Sequence, residues 1–339
     1  MMELGKRDTK MIQGLSVLAM VWLHLFDTWN YEGIFQPFIF FKGIPLVFYI
    51  AQLCDFCVMG FAFCSGYAHY KLFKEKDYYK KRLHSLLRLL LRYWIVIVFF
   101  SAVSIFIGTA AYMPGSGLRF VLNLFLIDSY NGAWWYMFAY TIIVLVSPAL
   151  LKCVYRYPAW IAALFSGVLY CGSYYFRFNN SSPNLLLSKI SPLGMTVVEY
   201  LMGAYAAKIG YFTIGRRLWN ELNRLAQFVV SISLIILMLI FRTLIVPSLF
   251  VSPATGIVLI TLFCFWKKPV FVESFLQLIG NHSTHIWLTH MFFYLYLFKG
   301  LVYKAIYPIA VYTFMIAITL VISVLLGYIE KMVFSLFGI

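Results

Sequence analysis

Lys10-Met11-Ile12-Gln13-Gly14-Leu15-Ser16-Val17-Leu18-Ala19-Met20-Val21-Trp22-Leu23-His24 begins an apolar run that covers residues 11–29. A hydrocarbon core about 30 Å thick takes about 20 helical residues per crossing, so this run is long enough to span. Further runs of the same kind follow at 43–68, 89–110, 132–151, 157–176, 193–210, 225–246, 250–266, 283–303 and 306–330. Of the 339 residues, 63% are hydrophobic, 20% aromatic and 12% charged. Soluble domains hold about 45–50% apolar and about 25% charged residues. The strict alternation over about 10 residues that marks a membrane β-barrel is missing. Only helices and closed barrels satisfy their backbone in lipid. The sequence therefore predicts an all-α polytopic membrane protein, a bundle of about ten transmembrane helices forming one domain over 1–339. No stretch is left for a soluble catalytic domain, so any chemistry must be built inside the bundle.

The net charge of +15 would suggest nucleic acid in a soluble protein. Its distribution argues for topology instead. With the N-terminus inside, Lys6, Arg7, Lys10, the dense run from Lys71 to Arg92 and most later cations fall in cytoplasmic loops, 20 of the 27 Lys and Arg in all. The positive-inside rule then places both termini in the cytoplasm. A multi-pass protein of the cell (inner, cytoplasmic) membrane is expected, with membrane lipids as partners and no nucleic acid. The first run is not a cleavable signal, because His24, Asp27 and Trp29 stand where small residues are needed. The six cysteines fall almost entirely in apolar runs, and Cys54-x-x-Cys57 reads as small packing residues. Two stretches interrupt the helices. Residues 111–131 hold a Met113-Pro114-Gly115-Ser116-Gly117 turn and then a segment fit for a re-entrant or surface helix. Residues 177–192 read as a solvated loop.

Ionisable residues inside apolar runs are costly and therefore candidates for function. His24 comes first. At 100° per residue, Gln13 lies about 20° and Lys10 about 40° from its face, making one polar stripe down the first helix. Gly14 and Val17 near that stripe would allow a neighbour to come close. The stripe alone fits a histidine bonding between helices as well as a functional one. Lys81, Ser85, Arg88 and Arg92 follow i, i+4, i+7, i+11 and share a helix face. That face suits either an anionic lipid surface or a phosphate-bearing cytoplasmic ligand. Glu199 and Arg242 are embedded charges that either pair with one another or face a cavity. Asp55, Asp128 and Glu273 are weaker candidates near run ends. His282 and His285 have the spacing to share a metal, but no neighbouring carboxylate or thiol completes a shell. No metal is expected; Asn281 or Ser283 is expected to cap a helix there.

Taken in order, these segments resemble the acyltransferase-3 family of integral-membrane acyltransferases. Thr9 to His24 is similar to the family's first span, in which an Arg, ten residues and a His recur. Phe61-Ala62-Phe63-Cys64-Ser65-Gly66-Tyr67 resembles its FFxxSGY segment, and Tyr79 to Trp94 its basic stretch. Gly132-Ala133-Trp134-Trp135-Tyr136 through Ser147-Pro148 resembles its WW…SP span. Gly280 to His290 looks like its GxxSxxIWLxH element. The chain departs from the pattern at Gln13, where the family has Arg. Lys10, one turn earlier on the same face, is placed to supply that cation. Ala62 replaces the second Phe. Arg82 is in place, but Ser85 stands where another Arg is usual, with Arg88 a turn later.

The resemblance implies an O-acyltransferase that moves an acyl group, most often acetyl from acetyl-CoA, to a hydroxyl of a surface polysaccharide or lipid-linked glycan. Acetyl-CoA would be a co-substrate; no bound cofactor is implied. His24 would be the catalytic residue, either as general base or as a covalent acyl carrier. Lys81, Arg82, Arg88 and Arg92 would hold the acyl-CoA phosphates. Lys10, Gln13, Ser65, Tyr67, Trp135, His290 and Glu199 would be supporting polar or aromatic groups. The alternative is a non-catalytic membrane carrier of a glycolipid or small solute, although the inverted repeats and broken helices common in transporters are not evident.

Overall fold

The computed structural model describes residues 3–179, 185–245 and 249–337. The described residues are overwhelmingly helical. In chain order the helices are α1 (Lys6–Phe26), α2 (Leu46–Leu53), α3 (Cys57–Leu72), α4 (Tyr78–Phe106), α5 (Gly117–Leu124), α6 (Trp135–Arg156), α7 (Ala159–Asn179), α8 (Leu185–Lys208), α9 (Tyr211–Glu221), α10 (Arg224–Ile240), α11 (Ser252–Phe265), α12 (Val270–Met291), α13 (Lys299–Tyr303) and α14 (Pro308–Phe337). One small antiparallel hairpin pairs Phe40–Phe41 with Ile44–Pro45 between α1 and α2.

Each of the ten apolar runs carries a helix. Seven of the described helices are long and apolar enough to cross a membrane, fewer than the ten spans expected. The shortfall lies at α8, α11 and α12. α11 is short, at 14 residues. α8 and α12 carry buried polar groups, among them Glu199, His285 and His290, which serve the interior instead of the lipid face.

Three boundaries differ from expectation. α12 begins at Val270 behind Pro269, with Glu273 in its first turn. Asn281 and Ser283 are therefore mid-helix and cap nothing, and Ser283 Oγ donates to the Gly280 carbonyl at 2.8 Å. α7 runs on to Asn179 and α8 begins at Leu185. Most of 177–192 is thus helix and not a solvated loop, while 180–184 lie outside the described residues. α4 begins at Tyr78, so the basic stretch and the span beyond it form one continuous helix. Within 111–131, α5 is a short helix whose Asn123 is buried and receives the Tyr130 amide at 2.7 Å.

Two glycine seams position the interior. α1 and α12 run parallel: Arg7 pairs with Glu273 at 2.6 Å, and further along Lys10 Nζ donates to Gly280 O at 3.4 Å. A Cβ on Gly14 would lie 2.2 Å from Leu276 O, and one on Gly280 would lie 2.1 Å from Lys10 O. Only glycine allows this backbone approach. The second seam joins α3 to α8, with Gly66 against Tyr200 O and Gly203 against Phe63 O. The largest buried cluster lies beyond the first seam and includes Phe26, Tyr93, Trp134 and Phe292.

Candidate active site

A narrow cavity of about 490 Å3 follows one face of α1. Lys10, Gln13, His24 and Asp27 all line it, a stretch of roughly 25 Å at 1.5 Å per residue. The polar stripe on α1 is thus one wall of an internal space. Gly14, beside the stripe, is where α12 comes close.

His24 Nδ1 lies 2.7 Å from His290 Nε2, and the two rings are nearly parallel. His290 Nδ1 lies 2.8 Å from the Trp287 carbonyl. A carbonyl only accepts, so His290 carries its proton on Nδ1 and its Nε2 is an acceptor. His24 must then donate from Nδ1, which leaves its Nε2 with a free lone pair. His24 faces the cavity, whereas His290 is fully buried behind it. The tautomer of His24 is thus set by a chain of two hydrogen bonds.

The start of α6 is fastened to α12 beside this pair. Trp134 Nε1 and Asn131 Nδ2 both donate to Leu288 O, at 2.9 and 3.2 Å, and Trp287 Nε1 donates back to Ala133 O at 3.0 Å. These bonds seat Trp135 and Tyr136 on the cavity wall. After Met291, α12 widens into a π-turn, Phe292–Tyr296. A second π-turn, Phe241–Ile245, follows α10 and carries Arg242. Such turns recur at functional sites because they re-aim side chains.

Among the described residues, three buried polar atoms on this wall have no hydrogen-bond partner: Tyr136 OH, Asp55 Oδ1 and Glu199 Oε2. Unpartnered groups of this kind are rare in folded proteins. Three in one cavity with a free imidazole nitrogen amount to a lining built to meet a polar ligand. Arg242 Nε is bonded to Asp55 Oδ2 at 2.8 Å. Arg242 therefore pairs with Asp55, and Glu199 faces the cavity without it. At the far end Arg177 lies over the Trp135 ring, 5.6 Å from its centroid. Gln52 donates to the Asp27 carboxylate there.

The opposite end is cationic. Lys10, Ser85 and Arg92 line it. Arg92 gives both Nε and Nη2 to Glu330 Oε1, at 2.8 and 2.6 Å, and His285 approaches the other Glu330 oxygen at 3.4 Å. The rest of the expected cationic face lies outside the cavity. Lys81 pairs with Glu75 at 3.1 Å, Arg88 sits over the Phe334 ring and Arg82 over the Tyr78 ring. Ser65 and Trp135 are on the wall, but Tyr67 is not: its hydroxyl accepts the Leu4 amide, in a separate cluster with Phe63 and Phe212. His282 and His285 both turn to Ser323, at 2.8 and 3.2 Å. Among the described residues no group of three or more His, Cys, Asp and Glu could hold a metal ion. Asp128 meets Arg119 at 3.3 Å, and Glu273 meets Arg7, both away from the cavity.

Tyr136, Arg177 and Asp27 carry no local mark of a site in the sequence, and Asp55 carries a weak one. Asp55 lies inside the 43–68 run, where a lone carboxylate is the available signal. Tyr136 follows Trp134-Trp135, but nothing local marks its hydroxyl as unpartnered.

A family model described as an acyltransferase domain, Acyl_transf_3, matches residues 10–328, from the first cavity residue of α1 into α14. No curated protein and no solved structure matches the chain.

Proposed function

The chain belongs to the acyltransferase-3 family, and from that premise we propose that it moves an acyl group, acetyl in the simplest case, from cytoplasmic acyl-CoA to a hydroxyl of a surface polysaccharide or lipid-linked glycan. The observation that carries this reading is the His24–His290 pair with its free Nε2 on the wall of an internal cavity. His24 Nε2 takes the proton of the acceptor hydroxyl as that oxygen attacks the thioester carbonyl carbon. The carbon–sulfur bond then breaks, and the coenzyme A thiolate recovers the proton from His24. A general base so placed contributes roughly 10²–10⁴-fold. The unpartnered Tyr136 hydroxyl is available to donate to the carbonyl oxygen as charge develops there.

The two ends of the cavity suit different partners. Lys10 and Arg92 offer positive charge to the donor, with Lys81, Arg82 and Arg88 outside the mouth for its phosphates. An extended pantetheine arm reaches about 15–20 Å, close to the roughly 21 Å along α1 from Lys10 to His24. The far end offers carboxylate oxygens of Glu199 and Asp55 and the face of Trp135, groups that accept from hydroxyls and cover the C–H faces of a sugar. Under this reading both termini are cytoplasmic and the far end opens away from the cytoplasm, in a multi-pass cell-membrane enzyme. The test is to incubate membranes containing the protein with radiolabelled acetyl-CoA and follow the label. Label should enter glycan with wild type and not with His24→Ala; transfer by the variant at the wild-type rate would overturn the role of His24.

A further inference from the structure

On the other side of the α1–α12 seam a second hollow of about 580 Å3 opens between α10, α11 and α12. It shares no lining residue with the cavity. Its walls are aliphatic and aromatic, including Leu15, Ile235, Leu259, Phe263, Phe275 and Leu276. α10 stands off from the bundle, with Leu225, Phe228 and Leu237 each more than half exposed, so the hollow is a groove facing lipid. Trp266 Nε1 donates to Ser231 Oγ at 2.7 Å and closes its end near the α11–α12 loop.

Lys268 stands at that end. Its Nζ donates to Phe263 O at 2.6 Å and to Trp266 O at 2.9 Å, and lies 4.2 Å from the Phe263 ring centroid. An ammonium has three protons to give, so one remains. Among the described residues no carboxylate lies within ion-pairing distance of Lys268. Burial pushes its pKa below the usual lysine value, a cost that an anion beside it would offset. Lys267 next to it is exposed and Arg216 is bonded to Cys264 O at 3.0 Å, while Glu273 and Asp8 act on Lys268 only from beyond ion-pairing distance. Trp and Lys at the end of a span mark the level of lipid headgroups.

We infer that this groove binds one acyl chain of a phospholipid whose anionic headgroup is held by Lys268. The apolar walls take the chain, and the half-buried cation selects an anionic over a zwitterionic head. The inference needs only that the chain spans a membrane, and it stands whether or not the catalytic reading holds.

The test uses the full chain reconstituted in mixed phosphatidylcholine and phosphatidylglycerol, then released and weighed by native mass spectrometry. Wild type should retain phosphatidylglycerol in preference to phosphatidylcholine. Lys268→Gln should lower that retention at least severalfold, Lys268→Arg should keep it, and Ile235→Trp, which fills the groove, should remove it. The Arg variant separates loss of charge from loss of fold. Equal retention of the two lipids by wild type, or undiminished phosphatidylglycerol on Lys268→Gln, would overturn the inference. So would release of the lipid by inorganic phosphate alone, because the site would then be one for a free anion.

Discussion

Arg92 and Arg242 both line the cavity and each meets a carboxylate, but in different surroundings. The Arg92–Glu330 pair keeps part of its surface open, with side chains 33% and 12% exposed; for Arg242–Asp55 the figures are 5% and 0%. Glu330 is saturated, with Arg92 on one oxygen and His285 on the other. Asp55 gives one oxygen to Arg242 and leaves the other bare. The difference separates two uses of an ion pair. At the cationic end the pair ties α4 to α14 and fixes the shape of the mouth. At the far end the pair neutralises a buried charge and leaves one carboxylate oxygen unpartnered in the wall.

His24 sits between the two ends, and removing it should have the largest effect. His24→Ala is expected to lower transfer by roughly 10²–10⁴-fold, about 3–5 kcal/mol of barrier, in initial rates on isolated membranes. Next comes the far-end pair. Asp55→Ala strands a buried guanidinium and should cost about 3–5 kcal/mol of stability, measured as a lower unfolding midpoint in detergent. Glu330→Ala at the more open pair should cost distinctly less, and equal losses would break the contrast drawn above. His290→Ala should reduce kcat by up to about 10²-fold with substrate KM little changed, since it frees the His24 ring to misorient. His290→Gln, whose amide oxygen can still accept from His24 Nδ1, should recover much of that loss; a Gln variant as poor as Ala would deny His290 its positioning role. Glu199→Gln should raise the acceptor KM severalfold, the order of one lost hydrogen bond, and leave the donor KM alone. The smallest effect is expected outside the cavity. Reversing charge at Arg82 and Arg88 should raise the donor KM severalfold at low salt and less at high salt, because exposed charges are screened over about 10 Å at 0.1 M. An unchanged donor KM would return those arginines to lipid anchoring.

The apolar runs and the stripe on α1 were legible because both depend on local periodicity: length sets the span, and 100° per residue sets the face. What was not legible depends on distant pairing. His24 and His290 were each visible as embedded histidines, but their contact joins residues 266 positions apart. Glu199 and Arg242 looked like equal candidates for each other. The three-dimensional arrangement gave Arg242 to Asp55 instead, 187 positions away. Arg177 and Asn179 gave 177–192 the polarity of a loop although both close α7, and Arg177 turns its charge back onto Trp135. At α12 the start signal lay in Pro269 and Glu273, while the Asn281-His282-Ser283 cluster drew attention to a false start. Tyr67 had the right motif and the wrong side of its helix. It belongs to the packing between α3 and α9, since Phe63 shares its face and Phe212 fills the space opposite.

The glycine seam between α1 and α12 has a further consequence. Gly14 lies ten residues, or roughly 15 Å, before His24 on a rigid rod, and Gly280 lies ten residues before His290 on the parallel one. The seam therefore acts as a ruler, fixing at one end of two rods how far apart their tips stand. Any side chain added at Gly14 meets the Leu276 backbone, which cannot rotate away. The displacement would pass undiminished along both helices to a hydrogen bond that tolerates a few tenths of an ångström. Activity should thus be sensitive to the bulk of a residue that touches neither substrate.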